Sequence, residues 1–340
     1  MSDRVWLLRT LALAENGRGQ CAPNPAVGAL LEKNGEIIHE GFHLGAGLSH
    51  AEVQAIRGFE EAARGATLYV SLEPCCHVGR TPACTELLKS VGVARVVYAF
   101  ADPNPKVSGQ GAQALRDAGI EVKHLELPEA NLFYRSYAHW WKTGRPFVTA
   151  KLALSLDGKI AGENGVTARL TGDKAQMLTH WERLRADVLL TSLKTIRADD
   201  PQMNVRMGDE TVAKPLFVVG QGEFPARERV LTTAKKVTWI QFPQANPAPV
   251  GVDVWTESLQ ESLHRMGREG AHDVWVEAGG QVFKSLWESG WVDRALLYLA
   301  PQFLGGRALA AFPEGIQGFP GAGKVTWQVA GADAICEVVK

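Results

Sequence analysis

An imidazole, two thiols and a carboxylate occur at spacings suited to a catalytic zinc site. The residues are His50, Glu52, Cys75 and Cys84. Zinc enzymes that deaminate bases bind the metal through one imidazole and two thiolates, and a nearby carboxylate moves protons. Three protein ligands leave a fourth position open to water. The pattern predicts that His50, Cys75 and Cys84 bind Zn2+ and that Glu52 carries protons to the ring and to the departing ammonia.

The predicted helices place these residues at positive helix ends. One helix begins near His50, and Pro82 opens another, so that Cys84 falls in its first turn. The amides and the dipole at a helix start favour anions, which lowers the pKa of a thiol and helps it bind a metal. Ser49 and Glu52 also have the spacing of a capping box, in which the glutamate would only cap its helix. That alternative stays open at this point.

The interval between the cysteines leaves a second question open. The general signature of these deaminases has two residues between the thiols, whereas eight separate Cys75 from Cys84. Cys76 and His77 lie in that interval and are rival ligands. Pro74 precedes Cys75, as in the signature, and this favours Cys75.

The composition is typical of a globular protein that acts on a small molecule. The chain has 340 residues, more than one hydrophobic core usually serves, so we expect two domains. A net charge of -1 argues against a nucleic-acid partner. We find no membrane-length apolar run and no secretory signal, so we expect a cytoplasmic protein without a membrane partner. The five cysteines, an odd number, favour metal chemistry over a disulfide framework.

Helical and extended patterns alternate along the chain, which predicts an α/β protein with helices on the faces of its sheets. In the first half the hairpin turns at Asn34-Gly35. The other predicted elements there are helices over 4–15, from 50, from 82, over 112–118 and ending at 141, and strands over 67–72, 95–100 and 121–124. A turn-rich break at 143–146 predicts a boundary between domains of residues 1–145 and 146–340.

The second half restarts with a strand over 147–154 and continues as another α/β unit. Its further predicted strands are 188–190, 216–219, 237–240, 274–276 and 295–299. Gly279-Gly280 follows one of them and precedes a helix, so its amides could hold a phosphate, although a plain turn explains the glycines equally well. Residues 109–114 match a Gly-x-Gly-x-x-Ala dinucleotide fingerprint, but they begin nine residues after their strand instead of directly at its end. We therefore do not assign them to a cofactor.

Short runs in both halves together resemble one known family. In the first half they are residues 23–28, 50–52, 74–77, 79–84 and 101–105. In the second half they are residues 151–158, 198–201, 206 and 276–280. The combination resembles the bifunctional deaminase/reductases of bacterial riboflavin biosynthesis over nearly the whole chain, and the long interval between the cysteines matches that family.

The resemblance implies an N-terminal cytidine-deaminase-like three-layer α/β/α domain and a C-terminal dihydrofolate-reductase-like α/β domain. The first would hydrolyse an amino group from a diaminopyrimidinone that carries a ribosyl 5′-phosphate. The second would use NADPH to reduce the ribosyl group to a ribityl chain. Asn24 is expected to contact the substrate in the deaminase pocket. We also expect the protein to be a homo-oligomer.

The same resemblance implies the site residues of the second half. Lys151 is expected at the reacting centre. The residues expected to bind NADPH are Leu154, Arg169, Thr195, Asp199, Gly279 and Gly280. The residues expected to bind the substrate are Thr167, Arg185, Arg206 and Glu277. Residues 191–195 depart from the glycine-rich run of many relatives. Bulk at Leu193 or Lys194 could weaken cofactor binding, or Lys194 could instead pair with the extra phosphate of the cofactor.

Two other functions fit parts of the sequence. A deaminase acting on a base within RNA would need a basic surface and stacking aromatic residues, and it would not need a second domain. A zinc deaminase with a degenerate, non-catalytic reductase domain is the alternative that the departure at 191–195 supports. Measuring NADPH binding would distinguish this alternative from a working reductase.

Overall fold

An Asn-Gly turn forms the first hairpin, as the sequence predicts. The structure, a computed structural model, describes residues 2–76, 83–244, 246–318 and 323–340. Asn34 and Gly35 have φ values of 57° and 85°, the left-handed conformation that a two-residue hairpin turn requires. They join strand β1 (Gly28–Lys33) to strand β2 (Glu36–Phe42), and the two strands pair antiparallel.

Two units divide the chain, Met1–Gly144 and Arg145–Lys340. The remaining elements of unit 1 are α1 (Asp3–Glu15), α2 (Ala51–Ile56), α3 (Glu60–Ala63), β3 (Thr67–Val70), α4 (Cys84–Val91), β4 (Arg95–Tyr98), α5 (Gln110–Asp117), β5 (Glu121–His124), α6 (Pro128–Phe133) and α7 (Arg135–Thr143). Its strands lie in the order β2-β1-β3-β4-β5, with β3, β4 and β5 parallel. No helix among the described residues of the chain has the length and apolarity needed to cross a bilayer.

Both faces of the unit 1 sheet are covered, because alternate strand residues enter two different hydrophobic clusters. Leu31 and Leu68 pack with α2, α3, α4 and α5 on one face. Leu30 and Tyr69 pack with α1, α6 and α7 on the other. A strand that is buried on both faces is expected in a sheet between two helical layers. The predicted three-layer arrangement of the first unit is therefore confirmed.

Unit 2 is a second α/β unit built on a larger sheet. Its elements are β6 (Phe147–Ser155), β7 (Lys159–Glu163), α8 (Asp173–Arg185), β8 (Val188–Ser192), α9 (Leu193–Asp199), β9 (Val205–Met207), β10 (Glu210–Val212), β11 (Pro215–Val219), α10 (Val230–Thr233), β12 (Lys236–Ile240), β13 (Val252–Trp255), α11 (Leu259–Arg268), β14 (Asp273–Glu277), α12 (Gly280–Glu288), β15 (Arg294–Ala300), β16 (Ala308–Ala310), β17 (Lys324–Ala330) and β18 (Asp333–Val339). The main sheet has the order β13-β12-β11-β8-β14-β6-β15-β18-β17.

The strand order of unit 2 predicts a ligand site at the carboxyl ends of three central strands. β14 follows β13 in the chain but inserts between β8 and β6, and it runs parallel to both. In open parallel sheets, ligands bind beyond the carboxyl ends of the strands where the strand order reverses. The ends of β6, β8 and β14 are therefore the expected place for a cofactor and a substrate.

The predicted strands all exist, but the antiparallel end of the second sheet was not predicted. The strand predicted over 121–124 matches β5, and those over 67–72 and 95–100 end two residues early. β18 pairs antiparallel with β15 and with β17. β17 and β18 form a local hairpin through Gly331 and Ala332, whereas the pairing of β18 with β15 joins segments distant in the chain.

Candidate zinc and reductase sites

His50 and Glu52 occupy the beginning of α2. His50 is the N-cap residue of the helix and makes no side-chain capping bond, and Glu52 is its second residue. The Ser49 hydroxyl instead accepts a hydrogen bond from Arg57 at 2.9 Å. The capping-box interpretation of Ser49 and Glu52 is therefore wrong. The helix begins one residue later than that motif needs, which leaves the Glu52 carboxyl available for another role.

Cys84 brings the second thiol to the same point from the start of α4. Ala83 is the N-cap of that helix and Cys84 its first residue. His77 and Pro82, with the rest of the motif at 79–82, lie outside the described residues. The backbone N–H of Cys84 donates to Cys75 Sγ at 3.3 Å, so the start of α4 stabilises negative charge on that sulfur. The pKa of the Cys84 thiol is instead raised by its hydrogen bond with Cys75 and by burial, so the predicted lowering at the helix start applies to Cys75 and not to Cys84.

The three predicted ligands converge on one point. His50 Nδ1 lies 3.3 Å from Cys84 Sγ and 3.6 Å from Cys75 Sγ. One ligand atom from each residue lies within 4.8 Å of the others. The Cys76 thiol instead donates to the backbone carbonyl of Lys106. One imidazole and two thiols at these separations suit a tetrahedral zinc ion with one open position.

Electrostatics at this cluster favour metal binding and proton transfer. Hydrogen bonding with the Cys84 thiol, against the effect of burial and with help from His50, lowers the pKa of Cys75 to about 4. A thiolate is the form of cysteine that binds metal. Burial raises the pKa of Glu52 to about 7, and the negative charge of Cys75 adds to this. A carboxyl group with a pKa near neutrality can both accept and release a proton.

A pocket of about 360 Å³ opens onto the cluster. His43 Nδ1 lies 3.0 Å from the Ser49 carbonyl, and Nε2 lies 3.1 Å from Asn24 Nδ2. Since a carbonyl can only accept, we assign the proton to Nδ1, and Nε2 then accepts from the Asn24 amide. Burial lowers the pKa of His43, which keeps it neutral. Asn24 therefore presents its carbonyl oxygen as the atom free for a ligand.

Several pocket residues were not singled out by the sequence. Asp102 accepts hydrogen bonds from the backbone N–H of Asn104 at 2.8 Å and from the Tyr137 hydroxyl at 3.2 Å. Burial raises the pKa of Asp102 to about 6. The pocket is also lined by Trp140 and Trp141. Asp102 lies in the run at 101–105 that carries the resemblance, but its contact with Tyr137 on α7 joins residues 35 positions apart, and no local signal indicates it.

In unit 2, Glu277 and Lys151 lie side by side on adjacent strands. They are register partners of β14 and β6. Arg183 donates two hydrogen bonds to the Glu277 carboxylate, at 2.5 and 2.9 Å, and Trp275 donates a third at 2.6 Å. Although burial acts to raise the pKa of Glu277, the charge and hydrogen bonds of Arg183 lower it to about 2. Burial lowers the pKa of Lys151, whose Nζ lies 5.2 Å from the ring centre of Tyr298.

Arg183, which the sequence prediction passed over, makes the contact with Glu277. The prediction named Arg185, but residues two apart on a helix such as α8 do not share a face. Arg183 Nη1 also donates to the backbone carbonyl of Asn204 at 2.8 Å, and Arg206 Nη1 donates to the Asn204 side chain at 2.5 Å. Arg183 and Arg206 thus meet at Asn204.

The residues predicted to bind the cofactor gather at the carboxyl ends of the strands. Gly279 is the N-cap and Gly280 the first residue of α12. A Cβ at Gly280 would lie 1.8 Å from the Ala311 carbonyl oxygen, so close packing alone requires that glycine. Thr195 lies in the first turn of α9, where its N–H donates to Ser192 Oγ. Leu154, at the end of β6, is buried in the core.

Three further predicted residues, Thr167, Arg169 and Asp199, are exposed. Thr167 donates to the Asp199 carboxylate, and Arg169 pairs with Asp173 on the first turn of α8. All of these groups are polar and accessible.

The two bulky residues at 193–194 have different surroundings. Leu193 is buried in a core cluster, so its bulk lies away from solvent. Lys194 is exposed, and its Nζ donates to Gln281 Oε1 at 3.0 Å. Lys194 and Gln281 are the second residues of α9 and α12. A cation therefore bridges two helix N-termini, which is compatible with the predicted role in binding a phosphate.

Comparison with known proteins gives consistent matches over both units. The model for the cytidine and deoxycytidylate deaminase zinc-binding region matches residues 2–100, and that for the RibD C-terminal domain matches residues 146–340. The riboflavin biosynthesis protein RibD of Escherichia coli is 36% identical over 338 residues, which cover 92% of each chain. That of Bacillus amyloliquefaciens is 36% identical over 93% of this chain and 89% of its own.

Solved structures agree with this assignment. Acinetobacter baumannii RibD superimposes with a TM-score of 0.86 at 31% identity, covering 99% of this chain and 98% of that one. A diaminohydroxyphosphoribosylaminopyrimidine deaminase/5-amino-6-(5-phosphoribosylamino)uracil reductase from Thermotoga maritima gives 0.89 at 29% identity over the same shares. The chain therefore belongs to the RibD family of bifunctional riboflavin-biosynthesis enzymes, which join a zinc-dependent deaminase to an NADPH-dependent reductase.

Proposed function

We propose that residues 1–145 deaminate diaminohydroxyphosphoribosylaminopyrimidine by hydrolysis and that residues 146–340 then reduce its ribosyl group to a ribityl chain. The Thermotoga maritima protein carries both activities in its name. The observation that supports this most directly is the cluster of His50, Cys75 and Cys84, whose ligand atoms lie within 4.8 Å of one another, beside a pocket lined by His50, Cys75 and Glu52. The substrate is a small molecule, with no nucleic-acid or membrane partner.

In unit 1, His50, Cys75 and Cys84 hold the metal and Glu52 moves the protons. Zinc, when bound, supplies a Lewis acid that makes water a nucleophile near neutral pH. Glu52 takes one proton from the attacking water and delivers it to the ring nitrogen. It then takes the remaining proton of the same oxygen and delivers it to the amino group, which leaves as ammonia. Burial of Glu52 raises its pKa, which favours a group that must both take up and release protons. Asn24, oriented by His43, accepts a hydrogen bond from the substrate.

In unit 2, Lys151 and Glu277 face the sugar, and the arginines hold its phosphate side. NADPH, when bound, supplies the hydride. Glu277 is the only one of these groups already fixed by three donors among the described contacts, so it can accept a sugar hydroxyl without moving. Arg183 positions Glu277. Arg206 is exposed whereas Arg183 is buried, so Arg206 is the arginine that binds the phosphate of the substrate. Lys151 donates a hydrogen bond to the reacting end of the sugar.

The remaining predicted residues keep their roles as proposals. Gly279, Gly280 and Thr195 would present helix N-termini to the cofactor phosphates. Leu154, Arg169 and Asp199 would complete the cofactor site, and Thr167 would contact the substrate through its position beside Asp199. We propose Arg183 in place of Arg185 as the arginine next to Glu277.

We also propose that the protein is a homo-oligomer. β17 lies at the edge of the larger sheet and pairs with β18 on its inner side. Val325, Trp327 and Val329 alternate along it and are 47%, 63% and 79% exposed. An apolar stripe on a sheet edge is a favourable surface for association with another copy.

A coupled assay with a Glu52→Gln variant tests the deaminase and reductase roles together. Ammonia release and NADPH oxidation are measured on the diaminopyrimidinone ribosyl phosphate and on its deaminated product. We expect the variant to bind zinc normally but to release ammonia about 100- to 10,000-fold more slowly, since it loses the proton carrier and no ligand. NADPH oxidation should be lost on the first compound and retained on the second.

The exposed Glu61→Gln substitution on α3 is the matched control and should change neither signal. Normal ammonia release by the Glu52→Gln variant would refute the role of Glu52. If the wild-type protein released ammonia but oxidised no NADPH on the deaminated compound, the reductase domain would be degenerate.

A further inference from the structure

Glu73 is a buried carboxylate close to the zinc cluster, and the proposed chemistry gives it no role. It is 3% exposed. Its Oε2 accepts the backbone N–H of Gly109 at 3.0 Å, and its Oε1 accepts that of Ala112 at 3.1 Å. Its own N–H donates to the Phe100 carbonyl at 2.9 Å. Hydrogen bonds therefore hold both the side chain and the backbone of Glu73 in place.

The two amides that Glu73 accepts belong to the beginning of α5. Gly109 is the N-cap of that helix, with φ of 74° and no side chain of its own to cap it. Ala112 is the third residue, whose N–H has no partner within the helix. Glu73 lies 36 residues before Gly109 in the chain, yet its carboxylate does the work of an N-cap and meets the positive end of the helix dipole.

Gly111 shows how closely α5 approaches the chain next to the metal ligand. A Cβ at Gly111 would lie 1.9 Å from the Pro74 carbonyl oxygen. That contact is with backbone, so no side chain could move aside to accept it. The Gly109-x-Gly111 pattern resembles a dinucleotide fingerprint, but its glycines instead allow the capping contact and the close approach to Pro74.

Cys75 follows this fixed segment directly. Its carbonyl oxygen accepts the N–H of Thr85 at 3.2 Å, and its Sγ accepts the N–H of Cys84 at 3.3 Å. The chain at Cys75 is therefore held from one side by α4 and from the other by the attachment of Glu73 and Pro74 to α5. Two sulfurs and an imidazole bind zinc well only when their separations are correct to within a few tenths of an ångström.

We infer that Glu73 is a positioning residue for the zinc site, which fixes Cys75 through the N-terminus of α5. The inference rests on the proposal that Cys75 binds zinc. Glu73 acts on the backbone of a ligand and touches neither the metal ligands' binding atoms nor the proton path of Glu52. Groups that hydrogen-bond to metal ligands typically contribute about 10- to 100-fold to metal affinity, and we expect a residue that fixes the backbone next to a ligand to act within that range.

Zinc affinity of the full chain, measured by competition with a chelator, tests the inference. Glu73→Gln keeps the size of the side chain, but its NH2 group cannot accept a hydrogen bond, so one of the two backbone N–H groups of α5 loses its acceptor. Gly111→Ala forces Pro74 away. We expect each variant to bind zinc about 10- to 100-fold more weakly and to alter the visible spectrum of the Co2+-substituted protein. NADPH oxidation on the deaminated substrate, which reports on unit 2, should be unchanged.

Ala114→Gly is the matched control, because it weakens α5 through helix propensity alone and leaves the contacts of Glu73 and Pro74 in place. Its zinc affinity should match that of the wild type. An equal loss in Ala114→Gly would reduce Glu73 to a general stabiliser of α5 and overturn the inference.

A Cys75→Ser variant separates this inference from the ligand assignment on which it rests. Unchanged zinc affinity in Cys75→Ser would overturn the assignment of the ligand itself. A large loss in Cys75→Ser, combined with wild-type affinity and an unchanged cobalt spectrum in Glu73→Gln and Gly111→Ala, would overturn only the positioning role. Loss of zinc affinity in all three, with Ala114→Gly unaffected, supports it.

Discussion

Arg183 and Arg185 have the same side chain and lie two positions apart, yet α8 directs them to different surroundings. Arg183 forms a two-bond pair with Glu277 that is almost closed to solvent. Such pairs depend on the planar fork of the guanidinium, which lysine cannot reproduce. At the scale of the residue, position on the helix decides which arginine contacts Glu277, and the proposal that Arg183 serves the reductase site rests on that contact.

Replacing Arg183 by lysine should impair the reductase and leave the deaminase intact. A charge remains, but the two-bond pair with Glu277 is lost. We expect kcat/KM for NADPH oxidation on the deaminated substrate to fall by about 10- to 100-fold, the equivalent of one charge-assisted hydrogen bond. Ammonia release should not change. Arg185→Lys is the control and should lower kcat/KM less than threefold or so; equal losses in both variants would contradict the assignment.

A single carboxylate ties α1 to the strands beneath it. Asp3, in the first turn of α1, accepts two hydrogen bonds from Arg95 on β4, at 2.9 Å each. It also accepts from the Tyr69 hydroxyl on β3 and from Lys123 on β5. The hydrogen bonds from Arg95 hold the pKa of Asp3 well below its usual range, against the effect of burial. At the scale of the element, Asp3 fixes one helical layer against three neighbouring strands.

Asp3→Asn should destabilise unit 1 by about 1–3 kcal/mol at pH 7, the effect of losing hydrogen bonds to a charged group. Because the folded-state pKa is depressed, this contribution is present above the unfolded pKa of about 3.9 and disappears as the pH falls through the lower folded value. The difference between variant and wild type should therefore stay constant down to about pH 4 and shrink as the pH falls from there toward pH 2. The free energy of unfolding of unit 1 is measured by hydrogen exchange of its peptides at increasing urea concentrations.

Glu129→Gln is the control for that experiment. It removes the exposed ion pair between Glu129 on α6 and Arg4 on α1, the helix that also carries Asp3. Exposed pairs contribute little, so we expect a change of at most about 0.5 kcal/mol. A difference between Asp3→Asn and wild type that stays constant down to about pH 2 would show that the Asp3 carboxylate is not the source of the stability.

The larger sheet ends in a strand with an apolar outer stripe. Strand edges present unpaired backbone groups, and proteins usually protect them with charges or by association. Along β17 the residues Val325, Trp327 and Val329 lie on one face, and Thr326 and Gln328 lie on the other. At the scale of the whole molecule, this stripe is the surface through which we expect copies of the chain to associate.

Trp327→Ser should shift the protein toward monomer, because it removes the largest apolar side chain of the stripe. Light scattering coupled to gel filtration measures the mass over a range of concentrations. Gln328→Ser, on the opposite face of β17, should leave the mass unchanged. A wild-type protein that is monomeric at all concentrations would contradict the proposed homo-oligomer, and an oligomer insensitive to Trp327→Ser would place its interface elsewhere.

The sequence by itself determined the chemistry of the zinc site and the α/β class of both units. Ligand types, their spacing and the Asn34-Gly35 turn are local properties, and strand and helix periodicity is read over a few residues. The tertiary structure decided which hydrogen-bond partners particular side chains have. That Arg183 contacts Glu277 and that Glu73 caps α5 both depend on contacts between segments far apart in the chain. Such contacts follow from how helices pack on a sheet, and no local pattern encodes them.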